Sequence, residues 1–243
     1  MSIAQLIRRT LNTPDFSSHR IALIEAREAA HREYYDSEIF SGPSLFFHLR
    51  ALAASEERDV DKFTEYTYAV LASWGMHRMG RGGAKMREFD DFLRSIEHQW
   101  SGILELKDAS PADLGDSGWA KLEKIFRGLR CMATGTSLVG NSKVLAHALP
   151  NLVAPIDREY TLRFLFGRTD VKNGMDREWA LFRAIHVGFY YPLLHAESIV
   201  TAIAKWQGQF AWDTSQLKIL DNLVIGSVRL ARTAAAAPGA PTV

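Results

Sequence analysis

Cysteine is almost absent from this sequence: the 243 residues include only Cys131. One cysteine excludes an intramolecular disulfide, which favours a reducing, cytoplasmic location. No apolar run approaches the roughly 20 residues that a membrane-spanning helix needs. Residues 1–12 also lack the apolar stretch and the small-residue cleavage site of a signal peptide. We therefore expect a protein that does not associate with membranes.

Strong charge and metal-binding patterns are missing too. The sequence has 29 Lys and Arg against 28 Asp and Glu, a net charge of +1. This balance argues against a surface that binds polyanions everywhere, although a local basic patch remains compatible with it. The histidines and the cysteine show no spacing typical of a metal site. The sequence thus predicts neither a metal nor a cofactor.

Alternating strand patterns are nearly absent, whereas apolar residues recur at intervals of three and four in almost every segment. This spacing predicts an all-α protein with nine to eleven helices and more than half of its residues in helix. We expect one compact domain over residues 1–230, with possible lobes at 1–108 and 109–230. Residues 231–243 are low in complexity and predict a frayed or disordered tail.

Local capping signals mark the ends of some helices. Asp59 or Asp61 can cap a helix that ends near Trp74, where Gly75 stops it. Ser110–Asp113 has the pattern of a capping box with proline at the first helical position, and it predicts the start of a further helix.

The most informative stretch is residues 138–168, LVGNSKVLAHALPNLVAPIDREYTLRFLFGR. A turn at Gly140 is expected to open a short helix that carries Lys143. A proline-bounded loop follows, and Asp157 is a favoured residue type for the cap of the next helix. His147 lies four residues after Lys143 and is a candidate partner on the same helix face. Lys143 and Asp157 near the starts of two successive helices indicate a candidate site.

This stretch resembles the core of the helix-hairpin-helix DNA glycosylases. Residues 139–143, Val-Gly-Asn-Ser-Lys, stand at the family's hairpin and lysine positions, and residues 154–157, Ala-Pro-Ile-Asp, stand at its approach to the aspartate. The resemblance implies that Asp157 supports base excision and that Lys143 attacks the sugar. It also implies that a backbone phosphate is held at the hairpin by Gly140, Asn141 and Ser142.

A second candidate site lies in the segment WGMHRMGRGGAK, where Arg78, Arg81 and Lys85 are interleaved with glycines. Glycine lets backbone N–H groups approach a phosphate closely. Lys85 lies near the predicted start of the next helix, and helix N-termini favour anions. The segment is not a P-loop, because the Gly-Lys-Ser/Thr ending is missing. It predicts a phosphate-binding loop, with a solvated linker as the alternative.

Three functions remain open from the sequence. The first is a nucleic-acid-binding protein, with DNA as partner and glycosylase- or lyase-type activity centred on Lys143 and Asp157. The second is a non-catalytic scaffold or regulatory protein in which both candidate motifs are structural and Asp157 only caps a helix. The third is an enzyme that acts on a small phosphorylated ligand bound at 78–85. The sequence does not define the oligomeric state.

Overall fold

The computed structural model describes residues 14–38, 42–76 and 85–236, and 72% of these residues are helical. The described part contains ten helices and no strand; Met86 and Met132 form one isolated antiparallel bridge. The predictions of an all-α fold, of more than half helix and of nine to eleven helices are confirmed. Within the same ranges, no helix is both long enough and apolar enough to cross a bilayer.

The ten helices follow one another along the chain, and two of them contain a π-helical stretch. They are α1 (Ser17–Asp36), α2 (Pro43–Glu56), α3 (Val60–Ser73), α4 (Phe89–Leu106), α5 (Asp116–Gly128), α6 (Leu138–Ala148), α7 (π-helical Arg158–Leu162 and α-helical Arg163–Phe166), α8 (Met175–Ile185, π-helical His186–Tyr190 and Tyr191–Leu193), α9 (Glu197–Trp206) and α10 (Gln216–Ala236). A 3-10 turn, Pro111–Asp113, precedes α5.

The sequence predicted the caps of two helices correctly. The side chain of Asp59 caps α3 by accepting a hydrogen bond from the backbone N–H of Lys62 at 3.0 Å. Gly75 follows that helix with a positive φ of 73°. Asp157 caps α7 by accepting from the N–H of Glu159 at 2.8 Å. The predicted caps at Asp59 and Asp157 are confirmed, because these bonds satisfy N–H groups that a helix start leaves free.

The predicted turn at Gly140 is wrong. Helix α6 already begins at Leu138, whose backbone N–H donates to the Glu178 carboxylate at 2.7 Å, so Gly140 lies inside the helix. A Cβ at Gly140 would stand 2.9 Å from Cys131 Sγ. Glycine is therefore needed for close packing of α6 against the preceding segment, not for a turn. Residues 231–236 of the predicted tail continue α10, and residues 237–243 lie outside the described part of the chain.

One contiguous apolar core connects the helices, and α6 lies at its centre, packed against α2, α3, α5 and α8. Helix α1 packs along α10 so closely that a Cβ at Gly226 would lie 1.9 Å from the carbonyl oxygen of Ala30. This pairing crosses the possible lobe division at residue 108. Helix α6 is central in the core. Lys143 lies near the middle of this helix, and its side chain is at the edge of the core.

Candidate functional site

Lys143 and Asp157 meet in the folded chain. Lys143 Nζ donates to Asp157 Oδ2 at 2.9 Å. Lys143 projects from α6, whereas Asp157 occupies the cap position of α7. Their side chains are 11% and 28% exposed, respectively. The two residues that the sequence placed at a possible catalytic site thus share one partly open position at the edge of the core.

The surroundings keep the Asp157 carboxyl group ionised. Burial on its own would raise the pKa of Asp157, but the charge and hydrogen bond of Lys143 and the backbone N–H groups at the start of α7 hold that pKa below its ordinary value. Oδ1 accepts from Glu159 N, and the backbone N–H of Asp157 donates to Thr161 Oγ1 at 3.1 Å. A fixed carboxylate of this kind can stabilise positive charge that develops beside it.

Trp74 forms one wall of this position. Lys143 Nζ lies 5.3 Å from the centroid of the Trp74 ring, a cation–π distance. Trp74 is the C-cap of α3 and the first residue of the segment WGMHRMGRGGAK. The start of that segment is therefore in contact with the candidate site.

Lys85 is the last residue of the same segment and is exposed. It does not lie at a helix start as predicted, because α4 begins only at Phe89. Its backbone N–H donates to Thr134 Oγ1 at 2.9 Å, and its carbonyl accepts from Ala133 N at 2.9 Å. These bonds join it to the segment that leads into α6. Arg78 and Arg81 lie outside the described residues.

Gly140, Asn141 and Ser142 are all buried. Asn141 Nδ2 donates to the carbonyl oxygen of Phe126 at 2.8 Å, which ties α6 to α5. Ser142 Oγ accepts from the N–H of Ile156 at 3.0 Å, which holds the residue just before Asp157. The structure therefore does not bring these three residues to a solvent-facing phosphate site, and it uses two of them to position the helices around Lys143 and Asp157.

Sequence reasoning named His147 as a candidate partner of Lys143, and His147 contacts the backbone carbonyl of that residue; it missed the chain of hydrogen bonds that continues behind α6. His147 Nδ1 lies 2.7 Å from the carbonyl oxygen of Lys143, His147 Nε2 lies 2.9 Å from His48 Nδ1, and His48 Nε2 lies 3.1 Å from Thr214 Oγ1. A carbonyl oxygen only accepts, so in neutral rings the proton is on His147 Nδ1 and His147 Nε2 accepts. His48 Nδ1 then donates, and the Thr214 hydroxyl donates to His48 Nε2.

Both of these rings are held in the neutral form. Burial lowers the pKa of His147 to about 4, and burial together with the neighbouring imidazole places the pKa of His48 well below its ordinary value. A cavity of about 10 Å³ lies beside them, enough for about one water molecule. Its polar and aromatic lining includes His48, Trp74, His147, Thr214 and Lys218.

A second missed group is a buried ionic network at the start of α10. Lys218 Nζ donates to Asp221 Oδ2 at 2.8 Å and to Asn222 Oδ1 at 2.5 Å. Asn222 Nδ2 donates to Asp213 Oδ1 at 2.8 Å, and Asp213 Oδ2 lies 2.8 Å from His31 Nε2. The interval of three between Lys218 and Asp221 in a predicted helix was a readable signal of an ion pair.

No set of three or more histidine, cysteine, aspartate or glutamate side chains within the described ranges is arranged to hold a metal ion. Comparison of the chain with protein-family models, with curated proteins and with solved structures gives no match.

Proposed function

We propose that this chain binds DNA and that Lys143 and Asp157 are the centre of a glycosylase- or lyase-type reaction. The observation that carries the proposal is the 2.9 Å contact between Lys143 Nζ and Asp157 Oδ2. The two residues are 14 apart in sequence and lie on different helices, yet they converge at a partly exposed position. They are also the two residues to which the resemblance to helix-hairpin-helix glycosylases assigns the reaction.

The geometry suggests a distinct role for each residue. The Asp157 carboxylate would stabilise the positive charge that develops on the sugar as the bond to the base breaks. Attack by Lys143 on the sugar carbon would form a C–N bond as the bond to the base breaks, and the base would leave with the electron pair of that bond. The proton that the Lys143 amine gives up would go to the departing base, so Asp157 Oδ2, which accepts a hydrogen bond from Lys143, stays ionised beside the positive sugar.

One observation favours the non-catalytic alternative. Both oxygens of Asp157 already have partners within the chain, since Oδ1 caps α7 and Oδ2 pairs with Lys143. In that interpretation, the pair only fastens α6 to α7. The two interpretations differ in what the negative charge does, and replacement of that charge without loss of the cap separates them.

The test uses two single variants, Asp157→Asn and Lys143→Gln. Each is assayed for base release and strand cleavage on DNA with damaged, abasic or mismatched positions. Asparagine caps a helix about as well as aspartate, so Asp157→Asn should keep the fold. We expect each variant to lose activity by about 10²–10⁴-fold, the usual contribution of a group that acts in acid–base catalysis.

Asp59→Asn is the matched control, because Asp59 also caps a helix and also pairs with a lysine, Lys62. It should leave activity unchanged. Full activity of Asp157→Asn would contradict the proposed role of the charge. No DNA binding and no activity from the unmodified protein would overturn the proposal and leave the scaffold interpretation.

A further inference from the structure

Arginines surround the first turn of α7, immediately after Asp157. Arg163 Nη2 and Arg232 Nη2 each lie 2.9 Å from the same oxygen, Oε2 of Glu159. One carboxylate thus faces two guanidinium groups, which leaves one positive charge in excess. Arg158 Nη2 donates to the neutral hydroxyl of Thr136 at 2.6 Å and adds a further positive charge.

These cations are accessible and yet held in place. The side chains of Arg163 and Arg232 are 42% and 47% exposed, and Arg158 is exposed as well. The ring of Tyr160 lies 5.7 Å from the guanidinium carbon of Arg232 and 5.7 Å from that of Arg229. Arginines fixed by a carboxylate and an aromatic ring lose less side-chain entropy on binding than free ones do.

These arginines also lie close to the Lys143–Asp157 pair. Arg158 directly follows Asp157 and reaches Thr136, at the approach to α6. Arg232 comes from α10 and bonds both the carboxylate and the backbone oxygen of Glu159, two residues after Asp157. Positive charge near Asp157 therefore comes from two elements, from α7, where Arg158 bonds the segment before α6, and from α10, where Arg232 bonds Glu159.

We propose that Arg158, Arg163 and Arg232, here called the arginine surface, bind the sugar–phosphate backbone of a DNA strand close to the Lys143–Asp157 pair. Guanidinium groups match phosphate oxygens in a two-pronged geometry, and such contacts set register and orientation without reading sequence. Glu159 holds two of the guanidiniums in the absence of DNA and moderates their charge. This inference rests on the proposed function and names the surface that brings DNA to its site.

The experiment measures binding of a duplex that contains a tetrahydrofuran abasic analogue, which the protein cannot process by base release, as a function of salt concentration. The triple variant Arg158→Gln, Arg163→Gln, Arg232→Gln should bind more weakly. The slope of log K against log salt is negative, and each lost phosphate contact reduces its magnitude by about 0.9. The loss of three contacts should therefore reduce that magnitude by about 2.7. Arg94→Gln is the control, because Arg94 is exposed and pairs with Asp91 on α4.

Glu159→Gln is a second test, and its expected effect on DNA binding is opposite to that of the triple variant. It removes the carboxylate that two guanidiniums share, so it should tighten DNA binding and steepen the salt slope. A merely structural Glu159 would instead leave binding unchanged or weaken it, and that result would overturn the arginine surface. This arm stays informative if the triple variant fails to fold.

The outcomes separate the two proposals. If the unmodified protein binds no DNA, the proposed function and the arginine surface are both overturned. If it binds DNA and the folded triple variant binds with the same affinity and slope, only the arginine surface is overturned. In that case, Arg78→Gln with Arg81→Gln tests whether the glycine-rich segment holds the strand instead.

Discussion

Acidification from pH 7 to pH 5 should destabilise this fold through its buried histidines. Burial lowers the pKa of His147 and of His186 to about 4, against about 6.5 for an unperturbed histidine. His186 repeats the arrangement of His147: its Nδ1 lies 2.8 Å from the Phe182 carbonyl oxygen, and its Nε2 accepts from the backbone N–H of Ala154 at 3.0 Å. In both rings, Nδ1 must carry the proton and Nε2 must remain free to accept.

The sign follows from which state binds more protons. Between pH 6.5 and pH 4, these histidines are protonated in the unfolded chain and neutral in the fold, so the free energy of unfolding decreases as pH falls through this window. A lowering of 2.5 pKa units corresponds to roughly 3 kcal/mol per histidine below pH 4, and to about 2 kcal/mol at pH 5. His147 and His186 together should therefore cost about 4 kcal/mol at pH 5, a large part of a typical stability of about 5–15 kcal/mol.

Urea unfolding followed by circular dichroism at pH 7, 6 and 5 measures this loss. Aspartate and glutamate titrate mostly near pH 4, so this range reports mainly on histidine. His186→Gln should reduce the loss between pH 7 and pH 5 by about 2 kcal/mol, whatever its own stability at pH 7. His195→Gln, at an exposed position, is the control variant. A free energy of unfolding that stays constant from pH 7 to pH 5 in the unmodified protein would refute this reasoning.

Two further predictions, each read from urea or thermal unfolding, concern a close backbone contact and a buried lysine. Gly226→Ala should destabilise the fold by more than about 3 kcal/mol, the upper end of usual overpacking, because its Cβ would meet a backbone carbonyl of α1 at 1.9 Å. Gly102→Ala is its control and should stabilise by up to about 1 kcal/mol through helix propensity, because its Cβ finds only a side chain at 3.4 Å. Equal effects of the two would contradict the packing argument. Lys107→Met should cost about 2 kcal/mol, because buried Lys107 Nζ donates to Ser55 Oγ at 2.8 Å and pairs with Glu56 at 2.8 Å; an unchanged midpoint would show that these bonds add no net stability.

The helices and their caps were predictable because they depend on neighbours in sequence. Apolar spacing gave the all-α class, and Asp59 and Asp157 cap the helices that follow them. The error at Gly140 has a tertiary cause. The glycine suggested a turn, but its missing side chain serves the approach of α6 to Cys131, and Glu178 from α8 satisfies the first N–H of α6. Neither partner can be read from the local sequence.

The candidate site likewise has a part that the sequence indicated and a part that it did not. The sequence indicated a candidate site at Lys143 and Asp157, because the two residues lie on short helices joined by a proline-bounded loop. It left open whether they meet, and the fold brings their side chains into contact. The histidine chain had no comparable signal, because His48 and His147 are 99 residues apart and sit on different helices. A buried polar partner so distant in sequence becomes visible only once the helices are packed.

The pairing of α1 with α10 constrains folding during synthesis on the ribosome. Ala30 and Gly226 are in backbone contact, and Arg229 Nη1 donates to Ser37 Oγ at 3.0 Å. At 5–20 residues per second, the ribosome needs about 10–40 s to reach α10 after it has made α1. The apolar face of α1, which includes Leu23 and Ala30, has no α10 to cover it in that interval. Nascent chains of this protein should therefore depend on chaperones that bind apolar helical segments until α10 emerges.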